Sequence, residues 1–231
     1  MRNIFRTSAL FVLGCMALAA QANSPVGRWH TIDDKTGETK SVVTIEDAER
    51  YNAMSLSMWI DLKQAFDNIE ADSDVRVVVL RGAGEKAFVS GANISEFETQ
   101  RNSEASVAHY NQSVALAQEA ITRCRVPVIA AISGICYGGG LGLALSCDLR
   151  YASPSAKFRM PAARLGLGYG YHGMKSIVQN LGPTAAAEAF YTAKVYSAGE
   201  AAQIGIVNSV QDDVFAHCTE VAAQIAQNAP L

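Results

Sequence analysis

Two glycine-rich turns hold the residues of this chain best placed to do chemistry. The first reads Lys86-Ala87-Phe88-Val89-Ser90-Gly91-Ala92-Asn93-Ile94, and the second Gly134-Ile135-Cys136-Tyr137-Gly138-Gly139-Gly140-Leu141-Gly142. Without a Cβ, glycine lets the backbone turn sharply and approach a ligand closely. The run into Leu143, Ala144 and Leu145 predicts a helix opening at the second turn, where the first N–H groups lack intrahelical acceptors and point outward. The chemistry available is therefore hydrogen-bond donation from the main chain. A dinucleotide could use such a turn, but residues 151–157 supply no acidic residue at the end of a following strand. Titratable side chains come later: Tyr169, Tyr171 and His172 lie in a glycine-rich stretch. His172 is a candidate acid or base because an unperturbed imidazole titrates near neutrality. A histidine opening a helix over 173–179 is more often a cap or surface residue. After the first turn, Asn93 is expected to brace the loop and Glu96 to be solvated, while Tyr137 packs either into the core or toward a ligand. Asp148 is expected to hold backbone N–H groups.

These turns need a scaffold. Ser55 opens a helix whose apolar face, Leu56, Trp59, Leu62, Phe66 and Ile69, recurs at steps of three and four. Residues 75–80 form a nearly continuous β-branched run, as expected of a strand covered on both faces. A second helix is predicted over 103–124. Pro127 then precedes a buried strand over 128–132. Helices over 183–192, 198–204 and 213–227 surround a short strand at 207–210. Alternating strands and helices of this kind predict an α/β domain.

The motifs, taken in order, resemble the enoyl-CoA hydratase/isomerase (crotonase) family. Gly91-Ala92-Asn93-Ile94 is similar to the family's G-A-D-I turn, and Gly134 through Asp148 to its triple-glycine signature ending in C-D. Glu49-Arg50-Tyr51-Asn52-Ala53-Met54, Phe158-Arg159-Met160-Pro161, Gly166-Leu167-Gly168 and Gly205-Ile206-Val207-Asn208 extend the match over residues 46–231. The resemblance implies a crotonase-like ββα spiral fold and an acyl-CoA thioester as substrate, with no further cofactor or metal. It gives Ala92 and Gly139 the two N–H donors of an oxyanion hole. The coenzyme A chain would run along Ala92, Asn93, Ile94 and Ser95, near Tyr51, Ala53 and Gly138. The family's assembly, a homotrimer or dimer of trimers, is implied as well.

The two glutamates that hydratases of this family use would fall at Gly142 and Ala162, and both are absent here. Glycine and alanine cannot transfer a proton. The resemblance thus implies an acyl-CoA-processing enzyme, labelled hydratase or isomerase, whose base comes from elsewhere. Tyr171 and His172 are the candidates, or the substrate itself supplies the reactive electron pair, as in decarboxylation of a malonyl-type thioester. The alternatives are a non-catalytic acyl-CoA binder, an exported β-protein, and a chimeric fragment without function.

Composition allows all of these. About half of the 231 residues are apolar, enough for a sizeable core, and a net charge of −3 with mixed signs gives no nucleic-acid-binding stripe. None of the five cysteines shows metal-ligand spacing, and four of them read as buried free thiols. The N-terminus has a different character. Arg2 and Arg6, an apolar run over 9–20 and Ala20-Gln21-Ala22 read as an export signal over 1–22, with lipoprotein-type cleavage before Cys15 as the alternative. No membrane span is expected beyond that signal. Residues 23–45, with Ser24-Pro25-Val26-Gly27-Arg28-Trp29 and a turn at 34–37, resemble the start of a family of small secreted bacterial β-proteins. The expected organisation is therefore a signal, that short segment, and a crotonase-like domain with its first strands replaced and its C-terminal helices truncated. Export to the periplasm conflicts with the cytoplasmic chemistry of CoA thioesters.

Overall fold

The computed structural model describes residues 41–96 and 102–229. The export signal, Cys15 and the turn at 34–37 lie outside the described residues. Within them the chain is α/β, as expected. A five-stranded, wholly parallel sheet has the order β1 (Val42–Ile45), β2 (Val78–Gly82), β4 (Val128–Ile132), β6 (Leu149–Ala152) and β9 (Ser209–Val210). A second sheet has the order β3 (Ala87–Val89), β5 (Ile135–Tyr137), β7 (Lys157–Arg159) and β8 (Tyr196–Ser197), antiparallel only at β7–β8. The large sheet crosses the change of character placed at 45/46, because β1 pairs with β2 from Val42↔Val79 to Ile45↔Gly82.

Burial on both faces explains why the strands carry little polar alternation. Val78, Leu80, Val128, Ala130 and Ile132 face a core completed by Met58, Trp59, Leu62 and Phe66 of helix α1 (Leu56–Ala71) and Ala117 and Ile121 of α2 (Glu104–Thr122). The intervening Val77, Val79, Ile129 and Ala131 meet Val214, Cys218 and Ala222 of α6 (Val214–Ala226) on the other face. Each fully buried large side chain contributes roughly 1.5–3 kcal/mol.

Caps define the helix starts. The Ser55 hydroxyl accepts the Met58 N–H, and Ser103 and Ser106 form a reciprocal box at α2. The strand expected over 75–80 begins only at Val78. Asp72 Oδ1 accepts the Asp74 N–H, turning the chain there, and Val78 is where pairing with Val128 begins. The two helices expected on either side of Leu181 are both present, end to end in α4 (Tyr171–Thr192), and are broken at Gly182, whose φ of 75° and ψ of 163° are non-helical and which precedes Pro183. Among the described residues no helix is long and apolar enough to cross a membrane.

Candidate active site

The two glycine turns, 48 residues apart from Gly91 to Gly139, come together because β3 and β5 pair in parallel, Ala87 opposite Ile135 and Val89 opposite Cys136. Their contact is tight. A Cβ on Gly140 would overlap the Val89 carbonyl oxygen and lie 2.8 Å from the Val89 Cβ, and one on Gly91 would lie 3.5 Å from the Tyr137 carbonyl. Beyond the first turn, Ala92 pairs with Met54 in a single bridge: the Met54 N–H donates to Gly91 O (2.8 Å) and the Asn93 N–H to Met54 O (2.8 Å). Those bonds leave the Ala92 N–H on the other side of the strand. Gly139 is the first residue of the short helix α3 (Gly139–Ala144), after Gly138 at φ 51°. Neither the Ala92 N–H nor the Gly139 N–H has an acceptor among the described residues. Both residues are partly accessible.

Supporting groups hold this arrangement. Tyr51 and Asn52 both have left-handed backbone, at φ 56° and 54°. Asn52 is fully buried; its Oδ1 accepts the Asp47 N–H (3.0 Å), and its Nδ2 donates to Ala83 O (3.0 Å) and Ala87 O (2.7 Å). Asn52 thereby ties the Tyr51–Met54 segment to the start of β3. The sequence motif contained Asn52, but nothing in its type alone revealed this three-way clamp. Tyr51 is exposed and Ala53 partly so, beside the bridge to Ala92. Asn93 braces its own loop, with Oδ1 accepting from the Ser95 N–H (3.2 Å) and Ser95 hydroxyl (2.6 Å). Glu96 is not simply solvated, because its Oε2 accepts the Leu56 N–H (3.1 Å) at the start of α1. Asp148 holds a backbone N–H as expected, that of Val128 at 2.8 Å. Ile94 and Ser95 are exposed.

Beneath Gly139 lies Trp59. The ring Cζ2 stands 3.4 Å from where a Gly139 Cβ would be, and the indole N–H donates to the Tyr110 hydroxyl (3.3 Å). Pro161, 3.7 Å from a Cβ at Gly138, leads into buried Ala162 and an open cleft of about 260 Å³. Ala162, Leu167, Tyr169, Met174, Phe190 and Tyr191 line most of it, and no carboxylate does. Tyr169 packs edge-on against Phe190 with ring centroids 5.2 Å apart. Burial first, and neighbouring Tyr110 second, push its hydroxyl up to about 12. It is therefore a neutral donor at physiological pH, not a base. Tyr171 is 75% exposed at the start of α4 and does not line the cleft. His172 is the next helical residue, and its side chain lies outside the described set. The structure thus brings Tyr169, more than Tyr171, to the position of the second absent glutamate. Tyr137 is half-buried at the end of β5.

Among the described residues Cys136, Cys147 and Cys218 are buried and Cys124 half-buried, and all four are free thiols. Burial raises Cys147 and Cys218 to about 12. With Tyr169 also at about 12, these groups stay protonated in the folded chain after the unfolded chain has begun to lose their protons. Their contribution to stability is full below pH about 9 and drains away as pH rises toward 12. Urea unfolding at pH 8, 10 and 11 is expected to show midpoints falling in that order. A rising midpoint would contradict the burial of these groups. No cluster of metal-ligating side chains occurs among the described residues.

Known proteins carry the same arrangement of chain. A model of a family described as enoyl-CoA hydratase/isomerase matches residues 36–231. The short-chain-enoyl-CoA hydratase of Clostridium acetobutylicum is 35% identical over 207 residues, 87% of this chain and 77% of the relative. A solved enoyl-CoA hydratase/carnithine racemase from Magnetospirillum magneticum superposes with a TM-score of 0.80 at 40% identity, over 82% of this chain and 72% of that one. An enoyl-CoA hydratase/isomerase family protein from Hyphomonas neptunium gives 0.83 at 32% identity, over 89% and 77%.

Proposed function

The chain belongs to the enoyl-CoA hydratase/isomerase family, and from that premise we propose that it processes acyl-CoA thioesters by polarising the thioester carbonyl between the Ala92 and Gly139 N–H groups. One observation carries this reading: two touching turns each leave a main-chain donor without an acceptor among the described residues. Donors fixed before substrate arrives stabilise negative charge as it develops on the carbonyl oxygen, at no cost of reorganisation during the reaction. The coenzyme A chain would follow Ala92, Asn93, Ile94 and Ser95, past Tyr51 and Ala53, with the acyl group entering past Gly138 toward the cleft at Ala162.

Hydration by a glutamate pair is not part of the proposal. Gly142 and Ala162 bear no proton-transferring group, and Tyr169 is held protonated. The chemistry that remains needs no carboxylate base. In decarboxylation of a malonyl-type thioester, the bond between the α-carbon and the carboxylate breaks, its electron pair forms the enolate, and carbon dioxide leaves. The two N–H groups stabilise that enolate oxygen until the α-carbon takes a proton. A non-catalytic acyl-CoA binder is the second reading, favoured by the same two missing carboxylates.

Gly139→Pro tests the oxyanion role. It removes one N–H at the first helical position, where proline is tolerated. Turnover of whichever of crotonyl-, malonyl- or hydroxyacyl-CoA the purified protein consumes is expected to fall roughly 10²–10³-fold in kcat/KM. Helix content by circular dichroism is expected to stay unchanged. Undiminished turnover would remove Gly139 from the mechanism, and thioester binding without any turnover would favour the binder.

A further inference from the structure

One polar side chain near the two donors has no role in holding the fold. Gln118 lies on α2, and the end of its side chain comes against α3: a Cβ built on Gly142 would stand 2.8 Å from its Nε2. The Gln118 carboxamide has no hydrogen-bond partner among the described residues, although its main-chain carbonyl accepts from Thr122 Oγ1. Gln118, Gly142 and Gly139 are all partly accessible. Gly142 follows Gly139 by three residues, so the two lie on one face of α3 about 4.5 Å apart along its axis. Helical side chains lean toward the N-terminal end, so a side chain at position 142 would extend toward Gly139. The Gln118 amide stands at the beginning of that path.

Resting on the thioester reading above, we propose that Gln118 is the residue that selects the acyl group, by hydrogen-bonding a hydroxyl or carbonyl oxygen on its third carbon. The separation suits this assignment. With the thioester oxygen at the Gly139 N–H, an amide one helical turn along reaches atoms two or three bonds down the acyl chain. A carboxamide donates and accepts but does not titrate, so it sorts substrates without serving as their acid or base. An acyl chain lacking the oxygen leaves the amide unpaired as the ligand excludes water, and such sites discriminate through that penalty. Gly142 is integral to the device, since any side chain there would displace the amide.

Calorimetric titration with 3-hydroxybutyryl-CoA and butyryl-CoA tests the assignment on the full chain. The wild type is expected to bind the hydroxyl ester about tenfold more tightly. Gln118→Leu is expected to reduce that ratio to near one, with butyryl-CoA binding more tightly than it does to the wild type because no amide is left unpaired. Gly142→Ala provides an independent arm. The atom its Cβ meets is the far end of a flexible side chain, so the helix accommodates it while the amide moves. It is expected to shrink the ratio as well. Equal binding of both esters by the wild type, or a ratio that both variants preserve, overturns the role of Gln118 alone. Failure of the wild type to bind either ester overturns the thioester site itself, and this role with it.

Discussion

Gly140→Ala is expected to cost at least about 10² in kcat/KM on any thioester the protein consumes, the largest catalytic loss from adding one methyl group. Its Cβ would overlap the Val89 carbonyl oxygen and stand 2.8 Å from the Val89 Cβ, and neither is a flexible chain end. The overlap can be relieved only by moving the 89–92 turn away from α3. That displaces the Ala92 donor relative to Gly139, so both donors lose their common target. A displacement of about 1 Å suffices for a loss of this size. Gly168→Ala is the control, since a Cβ there meets nothing within 4 Å. It should match the wild type in rate and melting temperature. If Gly140→Ala retained full kcat/KM, the contact between the turns would have no part in placing the donors.

Asn52→Ala should give the largest loss of stability, at least about 3 kcal/mol in urea unfolding. Three main-chain groups would be left without their partner: the Asp47 N–H and the carbonyls of Ala83 and Ala87. Each costs roughly 1–3 kcal/mol if it stays buried and unpaired. The left-handed backbone at φ 54° adds to this, because asparagine tolerates that conformation better than alanine. Asn52→Gly separates the two causes. It relieves the backbone but still lacks the side-chain bonds, so it should recover only about 1 kcal/mol. Full recovery by glycine would show that conformation, rather than hydrogen bonding, fixes this residue.

Much of the scaffold was legible because simple patterns have single solutions. The apolar steps from Leu56 to Ile69, preceded by Ser55, specify one amphipathic helix with one start, and it is there. The β-branched run gave a buried strand but not its first residue. Val75 and Val77 are as buried as Val78, and only pairing with a segment 50 residues away decides where the strand begins. The break at Gly182, by contrast, was legible, because Gly-Pro ends one helix and lets Pro183 open the next. At the site, the resemblance to a family, rather than glycine density, singled out Ala92 and Gly139, since dense glycine serves close packing as well, as Gly140 against Val89 shows. Tyr169 could not be ranked above Tyr171 from sequence. They differ by two positions in a stretch without clear periodicity, and only the packing against Phe190 turns one inward. Gln118 was invisible for the same reason: its importance comes from a missing side chain on another helix.

The order of the large sheet has a consequence for how the protein is made. Read across the sheet, β1, β2, β4, β6 and β9 follow the order of the chain, and no later strand inserts between earlier ones. Each strand therefore docks on an edge that already exists when it leaves the ribosome, and the sheet can grow in one direction during synthesis. Every pairing still closes a long crossover, as from Val42 to Val79, which makes each addition slow. Until β4 arrives, Val78 and its neighbours present an open apolar edge, so nascent chains stalled between β2 and β4 are the species most in need of a chaperone.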